Sequence, residues 1–234
     1  MADITAESSK RVQELVESMQ RFNAKERVQF EEVGKDGQLH NVGSATFEYS
    51  AYIYESRPQQ LVVDEFRNGS IAPQTFPSKL ATIGTAALAL IFHPTFVKDF
   101  SIECEGQADW KGHKAWVLRL QQSKENDFRG YRLANRYFRV MLKARAWIDA
   151  QSFEVLHLET NLREHIPEIP LELEQVSVDY GMVDFHAKDL QLWLPQKSDI
   201  YMDYRKRKYH YRHTFSDFQL FWVGTTEKVK KPKG

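Results

Sequence analysis

Much of what usually betrays a protein's chemistry is missing from these 234 residues. There is one cysteine, Cys104, which excludes an intramolecular disulfide and any CxxC pair for zinc or redox work. Phe100 and Ile102 share its parity, so a small buried thiol is the expected role. Net charge is also absent: 32 basic and 32 acidic side chains cancel. The whole chain therefore carries no field that would gather nucleic acid or a strongly acidic partner. The longest nearly uncharged apolar run, Leu80 to Phe92, falls well short of the roughly 20 residues a spanning helix needs. No apolar stretch follows Met1-Ala2-Asp3-Ile4, so no secretory leader is visible. Two locations stay open: periplasmic if a leader has been removed, cytoplasmic if the chain is complete as given.

Catalytic signatures are lacking as well. There is no glycine-rich phosphate loop, no nucleophile-elbow serine and no two-histidine metalloprotease helix. The eight histidines include one close pair, His210 and His213. On a strand these have opposite parity and point to opposite faces, a poor arrangement for a shared metal; solvated or core-edge positions are expected. Asp64-Glu65, Glu103-Glu105 and Glu172-Glu174 are candidate acid/base pairs, but carboxylates at such spacing on a strand more often line a solvated face. No catalytic residue, metal ligand or cofactor is assigned, and the chain is not expected to be an enzyme.

What is present is ample core material, 42% hydrophobic and 13% aromatic, arranged mostly with the period of two that marks half-buried strands. From Phe138 the sequence runs FRVMLKARAWIDAQSFEVLHLETNLR. Val140, Leu142, Ala144, Ala146 and Ile148 fall on one parity; Arg139, Met141, Lys143, Arg145 and Trp147 fall on the other. Asp149 to Ser152 supplies a reversal, and Phe153 to Leu162 returns. The spacing predicts further strands at 27–33, 43–55, 61–67, 100–106, 114–121, 175–183, 191–194, 199–211 and 215–223. Ile166 to Pro170 is expected to be a rigid extended connection. Val12, Leu15, Val16 and Met19 recur at helical spacing, with Thr5 or Ser8 placed to cap the helix. Ser78 to Phe92 is a second predicted helix, apolar all round and rich in small residues, ended by His93-Pro94.

Strand runs joined by hairpins, with helices only near the start and after the third strand, predict an α+β fold with an antiparallel sheet. We expect one domain, residues 1–226, with a basic flexible tail at 227–234. One basic cluster stands apart, Tyr201 to Arg212, in which Arg205, Lys206, Arg207 and Lys208 sit among tyrosines. Interleaved aromatics and cations can stack bases. A long strand with solvated cations fits the zero net charge better, so no nucleic-acid partner is expected.

Several segments together carry a family resemblance: Val62-Val63-Asp64-Glu65-Phe66-Arg67-Asn68-Gly69 ending a strand, the apolar helix after it, and the turn Trp147-Ile148-Asp149 followed by Phe153, Val155, Leu156 and Glu159. Tyr180-Gly181-Met182-Val183 and Leu194-Pro195 continue the order. This order resembles the bacterial outer-membrane lipoprotein-sorting superfamily, the LolA/LolB-like carriers, from about Phe47 to Val223. The resemblance implies a strongly curved antiparallel sheet, an incomplete barrel of about 10–11 strands. An N-terminal helix and an apolar helix would cover its concave face. It also implies a periplasmic, non-catalytic binder or carrier of lipid, acyl chains or lipidated protein, with lipoproteins or other envelope proteins as partners and peripheral membrane contact. Candidate lining residues are Leu80, Ile83, Ala87, Leu88, Ile91 and Phe92 from the helix and Trp116, Leu118, Val140, Leu142 and Ile148 from strands. The alternatives are that these residues simply fill the core of an interaction module, or that the chain is a hydrolase of unrecognised type. A monomer is expected.

Overall fold

The computed structural model describes residues 2–19, 21–57, 60–72, 75–78, 84, 87–133, 136–166, 168–185 and 189–221. Helix α1 (Ala2–Ser18) opens the chain, followed by β1 (Arg21–Val33), β2 (Leu39–Arg57) and β3 (Gln60–Gly69). A 3-10 turn (Leu88–Phe92) and the short α2 (Pro94–Val97) precede β4 (Phe100–Trp110) and β5 (His113–Gln122). Then come β6 (Gly130–Leu133), β7 (Arg136–Arg139), β8 (Leu142–Asp149), β9 (Val155–Leu162), β10 (Leu171–Phe185), β11 (Leu190–Tyr204) and β12 (Arg207–Phe221).

Ten strands form one antiparallel sheet in the order β3-β2-β1-β12-β11-β10-β9-β8-β5-β4, and β6 pairs only with β7. The large sheet is open, with β3 and β4 as its edges. One face is apolar because the chain alternates. On β2 the buried file is Ala45, Phe47, Tyr49, Ala51 and Ile53, and register pairs it with Val28, Glu26, Ala24 and Phe22 of β1. On β12 the same face carries Tyr209, Tyr211, His213 and Phe215. On β8 it carries Leu142, Ala144, Ala146 and Ile148, while Lys143 and Arg145 are exposed on the other side, as the sequence alternation requires. Each large side chain buried in such a file contributes about 1.5–3 kcal/mol relative to exposure. Helix α1 lays Ile4 and Val12 on this inner face, and Met19 follows just past its end.

Asp149 makes the reversal before β9 by accepting from the amides of Gln151 (2.9 Å) and Ser152 (2.8 Å) through Oδ1. The outer face has its own small apolar cluster: Ala115, Val117, Trp147 and Leu156, with Trp110 and Trp193 against it.

Several expectations change. Of the helix expected over Ser78 to Phe92, residues 79–83, 85 and 86 lie outside the described residues; Gly84 has φ +81°, outside helical space, and Leu88–Phe92 is a 3-10 turn. Leu80 and Ile83 lie outside the described residues. The strand expected over 199–211 is the end of β11 and the start of β12, reversed at Arg205-Lys206, and β12 continues to Phe221, within the segment read as 215–223. Thr5 and Ser8 lie inside α1 and cap nothing. Ile166 bridges Leu171 around a turn, so that connection is not extended. Cys104 shares the inner parity but is only half-buried, because β4 is an edge strand. The predicted tail lies outside the described residues.

Candidate functional site

The covering of the inner face is built from two pieces meeting at a seam. Helix α1 and the residue after it contribute Leu15 and Met19; the 3-10 turn and the residue before it contribute Ala87, Ala89 and Leu90. The sheet side is Phe22, Ala51 and Ile53 from β1 and β2, and Tyr180, Trp193, Leu194 and Pro195 from β10 and β11. The enclosed space is about 20 Å³, room for a single water, against about 300–1,000 Å³ for typical small-molecule sites. The turn itself acts as a plug. Leu88, Ala89, Leu90, Ile91 and Phe92 are all buried, and the Ala89 amide donates to the Tyr180 hydroxyl at 2.9 Å. Burial pushes that hydroxyl's pKa well above the usual tyrosine range, so it stays protonated.

On the other side of α1 a cleft of about 550 Å³ opens to solvent, bordered by Val16, Glu17, Glu55, Leu61, His93 and Lys98. His93 caps α2 by accepting from the Thr95 amide, and burial lowers its pKa against the opposing pull of Glu55 and Glu17. The cleft thus lies beside the plug's last residue, with acidic and basic groups at its rim.

Among the described residues nominated from sequence, only Ala87 borders the seam. Leu88, Ile91, Phe92, Leu118, Val140, Leu142 and Ile148 are buried in the main core, and Trp116 is half-buried against it. The sequence reading missed Leu15, Met19, Ala51 and Ile53, although their helical and strand periodicities were visible. Tyr180 and Trp193 had no local signal.

Two polar clusters lie beneath this face. Arg67 makes a two-pronged ion pair with Glu26, Nε to Oε2 at 2.6 Å and Nη2 to Oε1 at 3.0 Å, and sits 3.5 Å from Glu65. His213 Nδ1 is 2.8 Å from Glu26 Oε1, and the Tyr49 hydroxyl donates to Glu65 at 2.7 Å. Gly84 donates its amide to the same carboxylate at 2.8 Å, tying the segment before the plug to β3. Burial alone raises the pKa of Glu26, but Arg67 and His213 outweigh it and hold the carboxyl at about 2. The second cluster joins Arg129 to Glu174 at 2.6 Å, with the Tyr131 hydroxyl donating to the same carboxylate.

These positions correct the sequence reading. Glu65 and Glu174 are buried partners of arginine, not a solvated face, whereas Glu103 and Glu105 do pair with Arg119 and Arg145 on the outer surface. His210 and His213 do point to opposite faces, but both are fully buried. His210 lies between Glu31 (2.6 Å) and Asp199 (2.8 Å) under the ring of Tyr201. Among the described residues, no three His, Cys, Asp or Glu side chains converge as metal ligands. Glu154 is the carboxyl most suited to proton transfer, since burial pushes its pKa to about 7 against the opposing charge of Arg11. It borders a shallow pocket of about 170 Å³ with Arg11, Glu14 and Ser18.

No protein-family model and no curated protein sequence matches the chain. Solved structures do. A DUF1329 family protein from Desulfovibrio piger aligns with a TM-score of 0.50 at 10% identity, covering 95% of this chain and 93% of its own. A Vibrio parahaemolyticus domain classed with outer-membrane lipoprotein-sorting proteins aligns at 0.48 and 10% identity, covering 95% of each chain. The lipoprotein LppX of Mycobacterium tuberculosis aligns at 0.30 and 10% identity, covering 93% of this chain and 95% of its own. At this identity the likeness to the Desulfovibrio protein is one of fold.

Proposed function

We propose that this protein is a non-catalytic binder of lipid or acyl chains in the bacterial cell envelope, with the inner face of the sheet as its site and the turn Leu88–Phe92 as a displaceable plug. The observation that carries this reading is how the inner face is covered. Ten strands at about 4.8 Å spacing make a flat sheet about 43 Å across. A 17-residue helix is about 25 Å long and about 10 Å wide. Yet one continuous apolar core includes residues of all ten strands. A sheet curved around its contents, capped by α1 and a five-residue plug, reconciles these dimensions.

Ligand and plug compete in this scheme. Leu88, Leu90, Ile91 and Phe92 present to the sheet the kind of aliphatic and aromatic surface an acyl chain would present, so a chain entering at the seam replaces contacts of similar energy. Lipidated proteins are the alternative cargo on the same chemistry, and the envelope location follows from the family resemblance. Fluorescent fatty-acid displacement and native mass spectrometry of the purified protein test the proposal. Saturable binding or co-purifying lipid is the expected result; neither appearing, at lipid concentrations below aggregation, overturns it.

The 20 Å³ seam also favours a second reading, an interaction module whose interior is permanently filled. Hydrogen exchange separates the two. A permanently filled core keeps residues 88–92 protected with or without lipid, whereas a displaced plug loses protection when lipid is added.

A further inference from the structure

The hairpin tip joining β11 to β12 is left unused by the apolar seam. Tyr204 pairs with Arg207 across a two-residue loop, Arg205-Lys206, in which both residues have positive φ, +54° and +61°. That geometry favours Asn-Gly, and a long side chain adopts it at a cost. The Arg205 amide donates to the Pro170 carbonyl at 2.7 Å, which fixes the tip against the preceding turn. Arg205, Lys206, Arg207 and Lys208 are all exposed, and among the described residues none of the four forms an ion pair. Elsewhere Arg67, Arg119, Arg129, Arg139, Arg145 and Arg212 all have carboxylate partners.

We propose that this tip docks the protein onto an anionic phospholipid surface. Four unpaired cations at the end of an anchored hairpin complement a layer of phosphate headgroups. Exposed apolar side chains lie at the same end: Leu173 stands opposite Asp203, which pairs with Lys208, and Tyr201 is two residues back along β11. Asp203 and Glu32 are acids of the adjoining register, and Glu168 and Glu172 flank Pro170 on the segment that holds the tip; the tip itself carries the four consecutive cations. A nucleic acid fits less well. Tyr204, Tyr209 and Tyr211 are buried, and Tyr201 has a face covered by His210 at 4.0 Å, so the interleaved aromatics offer bases little to stack on. The inference stands independently of acyl-chain binding at the seam.

Co-sedimentation of the full chain with phosphatidylglycerol-containing vesicles and with pure phosphatidylcholine vesicles, at low and high salt, tests it. Binding is expected only to the anionic vesicles and only at low salt. Lys206→Glu with Lys208→Glu is expected to weaken it by at least about tenfold, since each surface cation contributes roughly fivefold. Arg205→Asn with Lys206→Gly keeps the turn and removes two charges. It is expected to bind vesicles more weakly while melting no lower than the parent, which separates docking from folding. Unchanged sedimentation of both variants, equal binding to neutral vesicles, or binding of a single-stranded oligonucleotide without vesicle binding would each overturn the proposal. Fatty-acid displacement at the seam is expected to be unaffected by either pair of substitutions.

Discussion

Arg67 shows how much a single side chain can be asked to hold. It is nearly sealed from solvent and faces two carboxylates, Glu26 and Glu65, neither of which is exposed. Replacing it with leucine leaves both carboxylates buried without their cation. Arg67→Leu is therefore expected to cost about 3–5 kcal/mol in urea unfolding, more than the pair itself contributes. The carboxyls also set opposite pH trends. Glu26, held at about 2 against an ordinary 4.5, adds stability that is present above pH 4.5 and lost as pH falls toward 2. Glu154, raised to about 7, contributes stability that is full below pH 4.5 and lost as pH rises through 7. Together these predict a stability maximum near pH 5. Glu154→Gln removes only the second trend: the variant is expected to exceed the parent by up to about 3 kcal/mol at pH 8 and to match it at pH 4. Thermal melts across that range check both statements.

Among the elements, the plug and the basic hairpin both depart from local preference. The plug is one 3-10 turn, too short to persist alone, and is kept by burial of its five residues and the Ala89 to Tyr180 bond. Tyr180→Phe is expected to cost about 1 kcal/mol and to raise hydrogen exchange at residues 88–92 before any global change. Phe92→Ala is expected to cost about 3–5 kcal/mol, with fatty acid recovering part of that loss if it fills the space left. At the tip, Arg205→Asn with Lys206→Gly is expected to stabilise the protein by about 1–2 kcal/mol in chemical unfolding, by relieving two left-handed residues. A gain in stability there means the native residues are kept for something other than the turn.

Across the whole molecule, an open ten-stranded sheet has two edges and one buried face, and its stability and any binding draw on the same apolar surface. Added acyl chain is expected to raise the melting temperature with concentration, because it binds only the folded state. Exchange at residues 88–92 should speed up in the same samples. A rise in melting temperature without that local change would place the ligand elsewhere, for which the open cleft beside His93 is the first candidate.

The sequence by itself determined the strands, the face each presents and the Asp149 reversal, because alternation and turn chemistry act over a few residues. Leu142, Ala144, Ala146 and Ile148 were assigned to the buried side correctly for that reason, whereas Val140, also buried, lies in the break between β7 and β8. It did not determine the plug, since an apolar run becomes a helix or a single turn according to what it packs against, and Gly84 with its positive φ interrupts it. Nor did it expose the β11–β12 reversal, whose Arg-Lys loop carries none of the usual turn residues. Only the tertiary structure decided the ion clusters and the seam. Glu26 and His213 are 187 residues apart and meet through strand register alone, and Leu15, Ile53 and Tyr180 come together only when α1 closes over the sheet.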